Sequence, residues 1–387
     1  MMRLHHSVPI LGLCLLPACS SGGTEDRPQG EVRLAQSEHM FGFKSPTAFV
    51  GYPVKPTEVT TDRGILQLAD DSTYKITRDN TTSESLDYQL DKTGFFGVTA
   101  ARGARTPTIR YSGGFGVDGS TGHYYFTDRY TTTTAPIIGL YLGVRVVTGS
   151  ADLSGDWHCF SEHVIFSSTA VQEPDNVGRT LGGTVAIDSA GKILGKGAES
   201  TKSTIDLTGS SKAFADGRVD VTLTYKDAQT SDARVFTCGA AKNFVVGTDE
   251  DLTDGEGGLL AMVRKRTGRA DLTLAEGTYW VGLHTIFVNP SRPGTDAAHG
   301  TLELTAKGSL RIDAVGANGT PFSYTGSYTL ADDGGLTITI DGTSEKWLGA
   351  IDQDYKTVVI VDHVVEQRSN NKPELNLFVG VRKAKVP

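Results

Sequence analysis

The chain has 387 residues, with 37 Lys and Arg against 45 Asp and Glu, 46 Gly and four Cys. A net charge of −8 with no dense basic tract speaks against nucleic acid as a partner, because phosphate binding draws on clustered Lys and Arg. Four cysteines are too few for a disulfide-rich scaffold, and the length suffices for two or three hydrophobic cores.

In chain order, the first element is an export signal over residues 1–18. Arg3, His5 and His6 give a short basic start, and Val8 to Leu16 is apolar but too short to cross a bilayer. The run ends in Leu16-Pro17-Ala18-Cys19, followed by Ser20-Ser21-Gly22-Gly23. This resembles the bacterial lipobox, with Pro17 departing from the usual small or β-branched residue. The resemblance implies cleavage before Cys19, lipidation of Cys19 and a membrane anchor of several acyl chains, which bind stably where one would be marginal. It places the protein in the bacterial cell envelope. Ser20 stands where an aspartate would resemble an inner-membrane retention signal, so the expected site is the outer membrane. Residues 19–30 are polar and rich in Gly and Pro, and read as a flexible tether.

Beyond the tether the sequence repeats with a period near 118 residues. Gly64, Gly183 and Gly300 each open an alternating apolar run. Leu142-Gly143-Val144-Arg145, Ala261-Met262-Val263-Arg264 and Val379-Gly380-Val381-Arg382 recur at the same spacing, and so do Asp128 and Asp362. The repeats are 31–149, 150–268 and 269–387. In the third, Thr301–Thr305 and Leu336–Ile340 alternate apolar and polar residues as half-buried strands do. Asp332-Asp333-Gly334-Gly335 reads as a hairpin turn. Eight strands per repeat, joined mostly by short turns, predict an all-β fold: three tandem eight-stranded antiparallel barrels, each folding on its own. The alternative is one six-bladed propeller of 24 strands. The continuous apolar run Thr357–Val361 suits a propeller blade, whereas the alternating strands suit a barrel wall.

The second repeat opens with Gly155-Asp156-Trp157 and closes on Arg264; the third opens with Gly277-Thr278-Tyr279 and closes on Arg382. This resembles the calycin group, the lipocalins and their relatives. There a G-x-W lies on the first strand and an arginine of the last strand packs across the tryptophan. The resemblance implies lipocalin-like barrels. In the first repeat the matching segment is read as Phe41-Gly42-Phe43, with Arg145. The loop after each first strand carries proline, at Pro53 and Pro56, Pro174, and Pro290 with Pro293. In lipocalin-like barrels that loop covers the cavity mouth. A ligand site is therefore expected under Pro53–Arg63, Val171–Thr180 and Pro290–His299.

With Cys14 in the signal and Cys19 lipidated, Cys159 and Cys238 remain. They form an even pair in a compartment that permits disulfides, and are expected to be bonded. They fall on the first and sixth strands of one repeat, which are not neighbours in a meander. His158, Cys159, Glu162 and His163 are dense in metal-ligand types, but on a strand alternate residues face opposite ways, which splits the set. Asp249, Asp251, Asp254 and Glu256 are close enough to suggest calcium, yet break the EF-hand order. No metal or cofactor is expected, and no catalytic set recurs among the repeats. The reading is a membrane-tethered envelope lipoprotein that binds a small-molecule or envelope ligand or a partner. Alternatives are an envelope polysaccharide or peptide hydrolase, and a structural surface component.

Overall fold

A computed structural model describes residues 37–383 apart from 48–57, 69–72, 79–80, 92, 101–107, 116–123, 129–138, 146–150, 166–177, 201, 216, 228–230, 250–255, 288–293, 317–318, 344–345 and 363–373. The first eight strands are β1 (Ser37–Thr47), β2 (Glu58–Leu68), β3 (Thr73–Arg78), β4 (Thr81–Leu90), β5 (Phe95–Ala100), β6 (Thr108–Phe115), β7 (Tyr124–Asp128) and β8 (Gly139–Arg145). The next eight are β9 (Gly155–Ile165), β10 (Gly178–Ile187), β11 (Lys192–Glu199), β12 (Lys202–Ala213), β13 (Arg218–Lys226), β14 (Ser231–Ala240), β15 (Phe244–Asp249) and β16 (Glu256–Arg264). A four-residue helix, α1 (Leu272–Ala275), precedes β17 (Gly277–Phe287), β18 (Gly294–Leu304), β19 (Ser309–Gly316), β20 (Pro321–Leu330), β21 (Gly335–Ile340), β22 (Lys346–Ile351), β23 (Thr357–Asp362) and β24 (Glu374–Arg382).

Each run of eight is an antiparallel meander whose first strand also pairs with its eighth, so the sheet closes: β1–β8, β9–β16 and β17–β24. Closure removes the free edges that an open eight-stranded sheet would expose. It also excludes the six-bladed grouping, in which four strands would share a blade. Strand β18 begins at Gly294, seven residues ahead of the alternating run read from the sequence, so much of that expected loop is strand.

The second and third lumens are filled by inward-facing side chains. Trp157, Cys159, Leu181, Ile193, Leu207, Val221, Phe236, Leu260 and Met262 belong to one core. Tyr279, Leu302, Ile312, Tyr328, Ile338, Trp347, Ile360 and Phe378 belong to the other. The first barrel is described through its backbone pairing and a few buried side chains, among them Phe96 and Leu140–Val144.

A third core lies between the barrels. Leu140, Leu142 and Val144 of β8 meet Leu259, Ala261 and Val263 of β16 and Leu377, Val379 and Val381 of β24. Counted back from the closing arginines Arg145, Arg264 and Arg382, these are the same three positions in each repeat. Equivalent residues meet only where the copies surround a common axis. The strand contacts agree. Strands one, two and eight of the first barrel pack on six to eight of the second. Strands one and two of the second pack on seven and eight of the third. Strands one, two and eight of the third return to six to eight of the first. Head-to-tail contacts of this kind form a ring when the rotation closes. The outer face of β20, away from the axis, is polar: Ser323, Thr325, Ser327 and Thr329 are all exposed. A lipid-facing barrel wall would be apolar there.

The ring joins the modules, because each barrel lends an outer strand to a core that the other two complete. It also explains the continuous apolar run in Thr357–Val361: Val358 and Ile360 face the lumen, while Val359 and Val361 face the axis. A carboxylate on the axis has no partner designed for it, so Val379→Asp is expected to cost about 3 kcal/mol or more. Thr325→Asp on the outer wall is expected to stay within about 0.5 kcal/mol of the parent. Chemical denaturation of the two variants checks the contrast.

Candidate functional site

All strands run between two kinds of barrel end. One end carries tight turns, including 188–191, 241–243, 305–308 and 331–334. The other carries the longer connections, including 48–57, 129–138, 166–177 and 363–373. At the turn end each described lumen is sealed by its closing arginine. Arg264 lies over the Trp157 ring, 4.3 Å from its centre, and donates to the carbonyls of Ser154 (2.6 Å), Asp152 (2.7 Å) and Lys242 (2.9 Å). Trp157 Nε1 donates to Leu153 O at 2.9 Å. Arg382 likewise lies over Tyr279 and donates to the carbonyls of Leu274, Tyr355 and Glu276, while Tyr279 donates its hydroxyl to Ala275 O. The glycine two residues before each aromatic has positive φ, +117° at Gly155 and +156° at Gly277, and a Cβ there would press on the guanidinium. Only glycine tolerates both demands. These contacts match the aromatic–arginine packing that the calycin-type motif implies. In the first barrel, Arg145 pairs with His39. The equivalent segment is thus Ser37-Glu38-His39, four residues earlier than Phe41-Gly42-Phe43. It lacks both glycine and tryptophan, which hid it from pattern reading.

At the loop end, the second lumen turns polar. His163 Nε2 lies 3.2 Å from Ser161 Oγ, and the His163 ring packs against Tyr225 and Phe236. Arg234 bridges Asp232 (2.9 Å) and Asp249 (3.0 Å). In the third lumen Thr285 donates to Asn376 Oδ1 at 2.7 Å, and Asn376 Nδ2 donates to Asp362 at 3.2 Å. Thr248 opposes Leu259, Val361 opposes Leu377 and Thr127 opposes Leu140, so the residues that follow, Asp249, Asp362 and Asp128, are one position in three copies. Reading Asp249 as part of an acidic loop concealed that repetition. Its carboxylate is 1% exposed and committed to Arg234. Asp251 and Asp254 lie outside the described residues, and among the described residues no three His, Cys, Asp or Glu gather to hold a metal. Cys19 and most of the three proline-bearing loops also lie outside the described residues.

The split of the His158–His163 cluster holds. Cys159, Ser161 and His163 face the lumen, whereas His158 and Glu162 face the third barrel. The lumen side pairs a serine with a histidine, the beginnings of a nucleophile and base. Ser161 is 0% exposed within a filled lumen, so a substrate has no approach to its hydroxyl. Cys159 and Cys238 are both buried, with free thiols in this structure. Both project into one lumen from non-adjacent strands and are surrounded by apolar side chains. Burial pushes the Cys159 thiol up to about 12 and raises that of Cys238 as well.

No protein-family model matches the chain, and no curated protein sequence matches it significantly. Among solved structures, a double mutant of transferrin binding protein B from Haemophilus parasuis Hp5 aligns at 11% identity and a TM-score of 0.31, covering 91% of this chain and 77% of that one. Intact Ap-TbpB aligns at 10% identity and a TM-score of 0.29, covering 91% and 77%. The isotype 1 protein of serogroup B Neisseria meningitidis aligns at 10% identity and a TM-score of 0.29, covering 90% and 77%. At such TM-scores the functional reading rests on this chain's own geometry.

Two expectations follow. Thiols this buried stay protonated, so the native protein at pH 8 should resist alkylation and both cysteines should react once it is denatured without reductant. A bonded pair would remain unreactive in denaturant. The second concerns Asp352, which accepts from the backbone N–H groups of Lys356 (2.7 Å) and Thr357 (3.1 Å). Burial nevertheless pushes its carboxyl from 3.8 up to about 6. The folded state therefore binds this proton more tightly than the unfolded chain does. Stability from this group is greatest below about pH 4 and is lost as pH rises through 6, by roughly 2–3 kcal/mol. Asp352→Asn should be more stable than the parent at pH 8, with the gain shrinking at pH 4.5, as thermal melts at the two pH values will show.

Proposed function

We propose that this chain is an envelope lipoprotein, tethered through Cys19, whose three tandem lipocalin-like modules (31–149, 150–268 and 269–387) form a rigid base displaying loops to a macromolecular partner. The observation that carries the reading is the common direction of the barrels. His158, near the start of β9, meets Asp333 in the turn after β20, and both are turn-end groups. Glu162 meets His284, and Thr180 meets the Asp362 carbonyl, all at the loop end. Trp280, near the start of β17, donates to Thr93 O in the turn before β5, again at the turn end. The loop-bearing ends thus share one side of the ring. Strand β1 starts at the opposite, turn-bearing side, so a tether before Ser37 would hold that side toward the membrane and direct the loops away from it.

The filled second and third lumens argue against carriage of a small apolar ligand inside those barrels, since a site for one is an open concavity. A polar depression of about 190 Å³ at the turn end, between 151–154 and 187–191, includes Asp152 and Asp188. Both carboxylates are engaged by local backbone N–H groups. A purely structural surface role is the second reading, favoured by the same filled lumens.

Labelled palmitate should enter the parent protein and not Cys19→Ser, which should appear in the soluble fraction. Replacing 48–57, 166–177 and 288–293 by short Gly/Ser linkers should leave the melting temperature within a few degrees and abolish partner binding. Binding that survives all three replacements would move the site to the outer walls.

A further inference from the structure

We propose that the seam between the second and third barrels is an acid-sensitive latch, with His158 as its sensor and the Glu162–His284 pair as its pivot. The seam is otherwise apolar, built on Phe160, Ala261, Val359 and Val379. Its polar contacts sit at its two ends, and each end uses a buried histidine.

At the turn end, His158 Nε2 lies 3.0 Å from Asp333 O. A carbonyl can only accept, so Nε2 carries the proton and the neutral ring keeps Nδ1 as its basic site. The same carbonyl accepts from Arg266 N at 2.8 Å. The charged groups facing the ring are the Asp333 carboxylate at 3.7 Å, across the seam, and Lys265, which holds that carboxylate at 3.2 Å from the chain leaving β16. The Arg266 side chain is turned onto the Tyr355 ring, 3.8 Å away. Burial disfavours the charged ring and Lys265 adds to that, and together they outweigh the carbonyl and carboxylate of Asp333, which favour it, so the imidazole is held below its ordinary range. Separating the barrels returns His158 to water, where it titrates near 6.5. Protons therefore bind the separated form more strongly, and separation is favoured as pH falls through that range.

The loop end is built differently. His284 Nδ1 lies 2.8 Å from Glu162 Oε2, and the two are 1% and 0% exposed. Thr180 of β10 donates to Asp362 O beside them, and Lys44 of β1 occupies the register position equivalent to Glu162 and His284. The two side chains close this end of the seam as a buried, directly bonded pair. The device is a hinge: acid loosens the turn end while the loop end holds.

Hydrogen–deuterium exchange on the full chain at pH 7.5 and 5.0, corrected for intrinsic rates, tests it. Exchange should rise about tenfold in 155–160 and 331–335, with β12 and β20 unchanged. In His158→Gln, whose amide can donate to Asp333 O but cannot take a charge, the rise should disappear. Asp333→Asn keeps the carbonyl and removes the favourable charge, so its acid response should be larger than the parent's. The latch is refuted if the parent shows no rise, if His158→Gln rises equally, or if Asp333→Asn responds less. Should His158→Gln not fold, the parent and Asp333→Asn still decide.

Discussion

A β-strand that is apolar on both faces has to be covered twice, and in this protein that demand falls on the last strand of each barrel. The lumen covers one face of β16 and β24. Nothing within the same barrel can cover the other, because a barrel wall is one strand thick. Three outer faces brought together around an axis satisfy one another, and the head-to-tail seams follow from that arrangement. At 1.5–3 kcal/mol for each fully buried Val or Leu, the nine axial side chains rival a lumen in importance. The common direction of the barrels is a further consequence, since β8, β16 and β24 must run side by side for equivalent residues to meet.

The turn end is where this arrangement is made specific. Carbonyls of the entering segment, left unpaired by the irregular chain before β9 and by the end of α1 before β17, are collected by Arg264 and Arg382. A guanidinium offers five donors in a fixed fork, and its flat face covers an aromatic ring at the same time. The two described seams also share a contact. The residue after the motif aromatic, His158 or Trp280, places a ring nitrogen on the carbonyl of the third residue in the next barrel's turn between its fourth and fifth strands. One position thus carries an ordinary indole in one seam and a titratable imidazole in the other.

Much of the barrel architecture was legible because it rests on spacing. Period-two alternation and the recurrence of Gly64, Gly183 and Gly300 report local backbone geometry, which each copy must solve alone. The G-x-aromatic motif and its arginine were legible in the second and third copies for the same reason. What could not be read was whatever depends on two copies at once. Glu162 and His284 lie 122 residues apart and share no pattern, and His158 looked like half of a failed metal site. Thr357–Val361 was visible as an apolar run, but one sequence does not say whether its second face meets a blade or a neighbouring barrel. Asp249 was hidden by the acidic residues that follow it.

The ring also has an order of assembly. A chain made amino end first completes β1–β8 long before β24, yet Trp280 joins Thr93 across 187 residues and Leu377, Val379 and Val381 complete the axis only at the end. Until then the outer face of β8 is covered only where the second barrel reaches it. Such non-local closure slows folding, because a long loop must be fixed before its contacts repay the lost entropy. The newly made chain therefore spends its earliest moments with an apolar strip exposed to solvent. Truncation near the carboxyl end would leave part of that strip uncovered permanently, making chaperones and proteases the first to register damage to the last strand.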